Sequence, residues 1–436
     1  MFHHAKRAIV ALLFGSVCAG SASAITIEEV TSDRGITAWL VSDDTVPVVA
    51  VDVAFEGAGS TQDPEGREGR ANIMASLLDE GAGEYDSLAF QSTLQDKAVR
   101  LSFEASRDNI YGDMRALSSS VEDGFELMRL ALTDPRFDDE PFQRIRAQVT
   151  TGLRRDLNDP DTVAAQLWSR TAFPDHPYGK PSNGTLESVA SLTREDIAAA
   201  HATAFGKDNI FVSVVGDIDA ETLKPLLDKA FGDLPDSATL VEVAEVEPAA
   251  GLTVSETLAT PQTSIRFGGP GLMREDADFI PAFVMNHILG GGTFSSWLFE
   301  EVREKRGLAY SVYSYMAPYQ HTAVFGAGTA TRNDQAEEAV EVILEQFRKM
   351  ASEGPSAEEL ADAKAYLTGS YPLRFGSSSS IARQLLFLQL EDLGMDYIDN
   401  RNDLIEAVTL DDVRRAAQRI FGNGRPTVAI VGSVEG

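Results

Sequence analysis

A single cysteine, Cys18, occurs in the whole sequence. It lies where Lys6 and Arg7 precede an apolar run from Ala8 to Val17 and the small-residue end Ala22-Ser23-Ala24. That order of features is expected of a cleavable secretory signal over residues 1–24, cut before Ile25, with export to the periplasm. The apolar run is short for a bilayer span, which disfavours an uncleaved anchor, and Val17 does not suit a lipoprotein cut. The expected mature chain then has no thiol, which excludes disulfides, thiolate metal sites and a cysteine nucleophile. Basic residues are scarce as well. The 37 Lys and Arg against 67 Asp and Glu give a net charge of −30. Such a surface argues against nucleic acid and against anionic membranes as partners, and serves solubility first. No later run is long and apolar enough for a transmembrane helix.

Histidine is sparse too: after the leader only His176, His201, His287 and His321 remain. No two are spaced for one helix face, so neither H-E-x-x-H nor its inverse can be written. His176 sits in the Pro/Gly loop "DHPYGKPSNGT", where capping or turn contacts are the expected role. His201 and His287 fall in helical patterns and read as packing residues. The run Gly290-Gly291-Gly292 follows a helix and lacks the Lys-Ser/Thr of a phosphate cradle, and no G-x-S-x-G elbow occurs. Read locally, the chain has no catalytic centre.

What the sequence does contain is a duplication. Leu192–Asp219, "LTREDIAAAHATAFGKDNIFVSVVGDID", aligns without a gap on Val408–Glu435, "VTLDDVRRAAQRIFGNGRPTVAIVGSVE", at an offset of 216. They share Thr193/Thr409, Asp196/Asp412, Phe205/Phe421, Gly206/Gly422, Val215/Val431 and Gly216/Gly432, among others. Each copy reads as a Thr N-cap, an acidic first turn, a short helix and a buried strand ending at Gly. A mature chain of this length also exceeds one ordinary core. The halves are expected at 25–235 and 252–436, with the acidic, Ala-rich segment 236–251 as linker. In the first, Val46–Gly59 alternates as a strand, Gly69–Gly81 reads as a helix, and Asp79 and Glu80 at its end read as solvated. The fold class is α+β: two homologous halves, each a mostly antiparallel sheet with helices packed on one face.

The stretch "SSWLFEEVREKRGLAYSVYSY", Ser295–Tyr315, reads as a helix running into a strand. Trp297, Leu298 and Val302 repeat at helical spacing, and Arg303, Lys305 and Arg306 close the run before Gly307. Leu308, Tyr310, Val312 and Ser314 then alternate onto one side of an extended chain. Spacing alone makes Arg303 an ordinary C-terminal helix cation and Tyr310 a packed aromatic.

With its flanking glycines, that stretch resembles the second-half motif of the pitrilysin-like, inverted-zincin metallopeptidases, the group that includes mitochondrial processing peptidase. "HPYGKPSNGT" and the 192–219 repeat are similar to first-half motifs of the same family, and the resemblance covers nearly the whole mature chain. It implies a clam-like pair of halves of the mitochondrial-processing-peptidase fold type. Catalytic members carry H-x-x-E-H on a first-half helix, where two His and a distal Glu hold zinc and the motif Glu is general base. The matching positions are Asn72, Ala75 and Ser76 on "RANIMASLLDEG", with Gly152 in the place of the distal glutamate. None suits the metal, so no cofactor is expected in this chain. The Arg and Tyr that reach into the active site are intact as Arg303 and Tyr310. There a phenol can donate a hydrogen bond to the oxyanion of an attacked peptide carbonyl, and the guanidinium can hold a substrate carbonyl or fix the phenol. The resemblance implies a non-zinc subunit of a heterodimeric peptidase, its partner a homologous H-x-x-E-H chain holding the zinc, its substrates peptides or unfolded segments. The alternative is a non-catalytic structural or peptide-binding homologue, like the core subunits of respiratory complexes.

Overall fold

The structure, a computed structural model, describes residues 25–422 and 424–433; the expected signal lies outside the described residues. Among these, eleven strands form two sheets. The first contains β1 (Glu28–Thr31), β2 (Thr37–Ser42), β3 (Val48–Phe55), β4 (Arg100–Ala105), β5 (Ile110–Leu117) and β6 (Ile210–Gly216), in the order β1-β2-β6-β3-β5-β4. The second contains β7 (Thr253–Thr257), β8 (Gln262–Pro270), β9 (Ala309–Tyr319), β10 (Thr322–Arg332) and β11 (Thr427–Gly432), in the order β7-β11-β8-β10-β9. With the edge strand β1 set aside, the two orders match strand for strand. Only β2 with β6 and β7 with β11 run parallel. The α+β class and the two mostly antiparallel sheets hold, and the repeat in the sequence is a repeat of topology.

Local chemistry explains the repeated elements. The helices Arg194–Ala204 and Leu410–Phe421 both open on a capping box: Thr193 with Asp196, and Thr409 with Asp412. In each, the Thr hydroxyl accepts from the third backbone N–H and the Asp carboxylate accepts from the Thr backbone N–H, at 2.9 Å in the first and 2.8 Å in the second. Two orphan donors are satisfied at once. In β5, Ile110, Gly112, Met114 and Ala116 point inward, while Tyr111, Asp113, Arg115 and Leu117 point away from that core. β3 is apolar but for Asp52, as suits a strand covered on both faces.

Helices are not confined to one face of each sheet, contrary to the expectation from the sequence pattern. Each sheet carries its own half's helices on one face, such as Val121–Thr133 on the first and Ala336–Ser352 on the second. The other face takes a helix from the opposite half. Pro160–Ala172 lays Val163, Ala164, Leu167 and Trp168 on Val324, Ala429 and Val431 of the second sheet. Ser378–Leu390 lays Ile381, Ala382 and Leu385 on Val41, Ala50 and Val215 of the first. Ser213 in β6 fixes the register of that helix by donating to the Ala382 carbonyl at 2.7 Å. The halves therefore exchange helices and share their cores. Residues 236–251 form no helix or strand, but are tied to both halves: Ala249 donates to the Ala172 carbonyl at 2.9 Å and accepts from Thr427 Oγ1 at 2.7 Å.

Two sequence expectations need correction. The helix read over Gly69–Gly81 covers only Arg70–Ala75. Beyond it the chain tightens to three-residue bonds, Leu77 N–H to Met74 C=O and Leu78 N–H to Ala75 C=O, and the Ser76 hydroxyl turns back onto the Asn72 carbonyl at 2.9 Å. Glu80 is not a solvated end residue. It accepts two bonds from the Arg144 guanidinium, at 3.0 and 2.6 Å, and one from the Ser87 hydroxyl at 2.6 Å. Those donors hold its carboxyl below the usual range against the opposing effect of burial.

Candidate functional site

The helix expected across Trp297–Arg306 is wound more loosely than an α-helix. Phe299–Glu304 is a π-helical segment, as is His287–Gly291 just upstream. Such segments widen a turn by one residue and re-aim side chains. The exit is correspondingly wide: Gly307, at φ 63°, donates to Arg303 C=O and Leu308 donates to Val302 C=O, both at 2.9 Å. This nested pair is a helix stop of the left-handed type, with one residue more than usual between donor and acceptor. It turns the chain directly into β9.

The winding brings Arg303 between two rings. Its guanidinium carbon lies 4.7 Å from the Phe299 centroid and 4.6 Å from the Tyr310 centroid. Nη1 also donates to the Tyr310 carbonyl at 3.2 Å, and Nε lies 3.6 Å from the Glu304 carboxylate. Two cation–π contacts at a partly exposed site are worth about 0.5–1 kcal/mol each, enough to hold the arginine in one rotamer. The sequence-predicted pair is thus brought together in the fold.

Tyr310 does not lie on the buried side with Leu308, Val312 and Ser314. Those three are buried, whereas Tyr310 is 82 % exposed and its hydroxyl has no hydrogen-bond partner among the described residues. The reason is a β-bulge. Val312 pairs with Thr329 and Ala309 with Thr331, so three steps on β9 oppose two on β10. The extra residue rotates Tyr310 out of the core face, as bulges do beside sites. Hydroxyls of the partner strand stabilise it: Thr329 donates to Ser311 C=O at 2.9 Å and Thr331 to Leu308 C=O at 2.6 Å. The result is a phenol presented to solvent beside a fixed cation. Phe294, 76 % exposed, packs edge-on against Phe299 at 5.1 Å and extends the same aromatic ridge.

The other sequence-selected positions lie in the first half. The Asn72 amide donates to Asn183 Oδ1 at 2.6 Å, Ser76 bonds back to Asn72, and Ala75 is fully buried. Gly152 is on the neighbouring helix Asp139–Asp156, with open space where a side chain would start. An amide already committed to another amide, a hydroxyl committed to a carbonyl, and no side chain at all do not make a zinc site. Among the described residues no group of three or more His, Cys, Asp and Glu is arranged to hold a metal. The Asn72–Asn183 bond escaped the sequence reading, although Asn183 lies inside the quoted loop. A cavity of about 460 Å³ opens beside Asn183 and runs to Arg107, Lys180 and Arg266.

The histidines are structural. His176 Nδ1 accepts from the Tyr178 N–H at 3.2 Å and its Nε2 meets the Ala244 carbonyl at 2.9 Å. His201 Nε2 meets Leu132 C=O at 2.9 Å, and His287 stacks on Tyr366 at 5.0 Å. His321 faces Glu245 at 3.3 Å. No helix among the described residues is long and apolar enough to cross a membrane.

Fold and site together define a duplicated α+β chain in which Asn72, Ala75, Ser76 and Gly152 offer no metal chemistry and Arg303 clamps an outward-turned Tyr310. Family models match most of the chain. Residues 38–186 match the insulinase domain of peptidase family M16 and residues 191–367 match the peptidase M16 inactive domain. The chain belongs to this pitrilysin-like family. It is 26 % identical to the Helicobacter pylori protein named non-peptidase homolog YmxG, over 86 % of each chain. It is also 26 % identical to the uncharacterized zinc protease SCO5738 of Streptomyces coelicolor, over 86 % of this chain and 83 % of that one. The crystal structure of a Pseudomonas fluorescens peptidase M16 inactive domain superposes with a TM-score of 0.88 at 26 % identity, covering 94 % of this chain and 99 % of the other.

Proposed function

We propose that this chain is the non-zinc subunit of a two-chain peptidase, contributing Arg303 and Tyr310 to an active site whose metal and general base come from a homologous H-x-x-E-H partner. The observation that carries the reading is the bulge at Tyr310. A tyrosine that only packed would follow the strand's alternation inward. This one is turned out, with its hydroxyl unbonded among the described residues and its ring clamped by Arg303. The exposed Phe294 and Tyr310 and the half-buried Arg303 are also residue types enriched at protein interfaces. In the completed site the phenol would donate to the oxyanion of an attacked peptide carbonyl, and Arg303 would position it. The substrates would be peptides or unfolded segments. Export to the periplasm is part of the proposal and rests on the leader, with a mature N-terminus at Ile25.

The test is reconstitution. The chain is expected to cleave no peptide by itself, with or without added zinc, and to restore turnover when mixed with its zinc-bearing homologue. Cleavage by this chain alone with stoichiometric zinc would overturn the proposal. Similarity to the Helicobacter pylori non-peptidase homolog favours a second reading, a peptide-binding homologue without catalysis. Peptide binding with no turnover beside a zinc-bearing homologue would establish that reading instead.

A further inference from the structure

The two exchanged helices cover equivalent places of opposite charge. In the second sheet Arg266 pairs with Ala429, and in the first Asp52 pairs with Ser213. Ser213 and Ala429 are matched by the internal repeat, so Asp52 is the counterpart of Arg266. The arginine has partners for its two Nη atoms, Asp161 of the covering helix at 2.5 Å and the Tyr313 hydroxyl, although its Nε is buried with no hydrogen-bond partner among the described residues. The aspartate has no ion pair at all among the described residues. Asp52 is 7 % exposed, and its Oδ2 is buried with no hydrogen-bond partner among those residues.

Asp52 lines a cavity of about 280 Å³ between the first sheet and the Ser378–Leu390 helix. Asp113, directly opposite on β5, and Glu104 on β4 stand at its rim, and Leu386, Phe387 and Leu390 form an apolar wall. Asp113 accepts from Ser102 at 2.6 Å. One cation, Arg383, lines the same cavity, yet among the described residues none of Asp52, Glu104, Asp113 and Arg383 is in an ion pair within 4.0 Å. A buried carboxylate without a donor is costly to a fold, and such a group facing a cavity is what a ligand's donor would relieve.

We propose that this cavity binds an organic cation, a primary ammonium or guanidinium on an apolar stem, with the head group at Asp52 and Asp113 and the stem along Leu386, Phe387 and Leu390. Lysine and arginine side chains of a peptide have this chemistry, and so do free alkyl diamines. The inference stands apart from the Arg303–Tyr310 proposal, because the site lies between the first sheet and a helix of the second half, shares no residue with that pair and needs no partner chain.

The charge state of the site gives it a pH signature. Burial pushes the Asp52 carboxyl up to about 7, with Arg383 opposing and Asp113 adding to the rise. Tyr111 is the remaining titratable group of the lining. A carboxyl raised in the folded state holds a proton that the unfolded chain gives up, so this contribution to stability is lost as pH rises toward and through about 7. A bound cation reverses the preference by favouring the carboxylate, so binding should tighten across the same interval.

Calorimetric titration of the full-length mature chain at pH 8 with Nα-acetyl-lysine amide, with cadaverine and with Nα-acetyl-norleucine amide tests the proposal. Saturable binding of the lysine probe, at least about tenfold tighter than norleucine, is expected. Comparison with cadaverine tells a peptide side chain from a free diamine. Asp52→Asn should abolish the preference while raising the melting temperature at pH 8, which separates lost binding from lost folding. Arg383→Gln should leave binding intact or tighten it. If no cation binds the wild-type chain at millimolar concentration and Arg383→Gln lowers the melting temperature, Arg383 is Asp52's own counterion and the proposal fails.

Discussion

Tyr310→Phe is expected to lower turnover of the reconstituted two-chain peptidase by about 10²-fold or more while changing peptide affinity little. The substitution removes one oxygen. The ring stays, and with it the contact to the Arg303 guanidinium at 4.6 Å, so the bulge and the arginine rotamer keep their support. Because the residue is 82 % exposed and its hydroxyl bonds to no described residue, folding has nothing to lose. What disappears is a donor that counts only once negative charge builds on the carbonyl oxygen, so the loss belongs in the chemical step and not in ground-state binding. A 10²-fold effect corresponds to about 2.7 kcal/mol, the low end for an oxyanion donor. Single-turnover cleavage with peptide binding measured on the same preparation separates the two. An unchanged rate would return Tyr310 to the exposed aromatics of an interface. Arg303→Gln makes a useful contrast, since it removes both the sandwich and the 3.2 Å bond to the Tyr310 carbonyl; it should lower both affinity and rate.

Particular residues show where the sequence carried the structure and where it stopped. The capping threonines Thr193 and Thr409 were legible because a cap is a local event, settled within four residues. The repeat they open gave the common strand order, because homologous halves inherit one topology. Pairing of Arg303 with Tyr310 was available only through the family motif, since spacing alone fits a helix end and a packed strand equally well. The outward turn of Tyr310 was beyond reach. It depends on β9 opposing three residues to two of β10, and a register slip is decided by the partner strand and not by the alternation along one strand. The pairing of Glu80 is out of local reach for a similar reason, because Arg144, its partner, lies 64 positions away. Asp52 did leave a local trace: one carboxylate interrupts the apolar run of β3. Periodicity could show that Pro160–Ala172 has an apolar face, but not that the face would be spent on the other half's sheet.

That exchange of helices makes Trp168 a side chain whose loss should cost much. Trp168 packs against Gly268 of β8, so close that a Cβ on the glycine would come within 2.2 Å of the indole ring. It also meets Phe173 edge-on at 5.8 Å. It is 8 % exposed and anchors a helix of the first half to the sheet of the second. Trp168→Ala should destabilise the protein by about 3–5 kcal/mol, because the void is bounded by sheet backbone that cannot collapse into it. Denaturant unfolding followed by far-UV circular dichroism would measure this as a lower midpoint. If instead the helix lifts off and the halves separate, the transition should split in two, since each half would then unfold without the other's contribution. Gly268→Ala tests the same contact from the opposite side. In the wild-type background it should cost about 1–3 kcal/mol by overpacking. In the Trp168→Ala background most of that cost should vanish, because the ring it strikes is gone. Strict additivity of the two changes would mean that the indole and the glycine do not bear on one another, and that the halves are held together elsewhere.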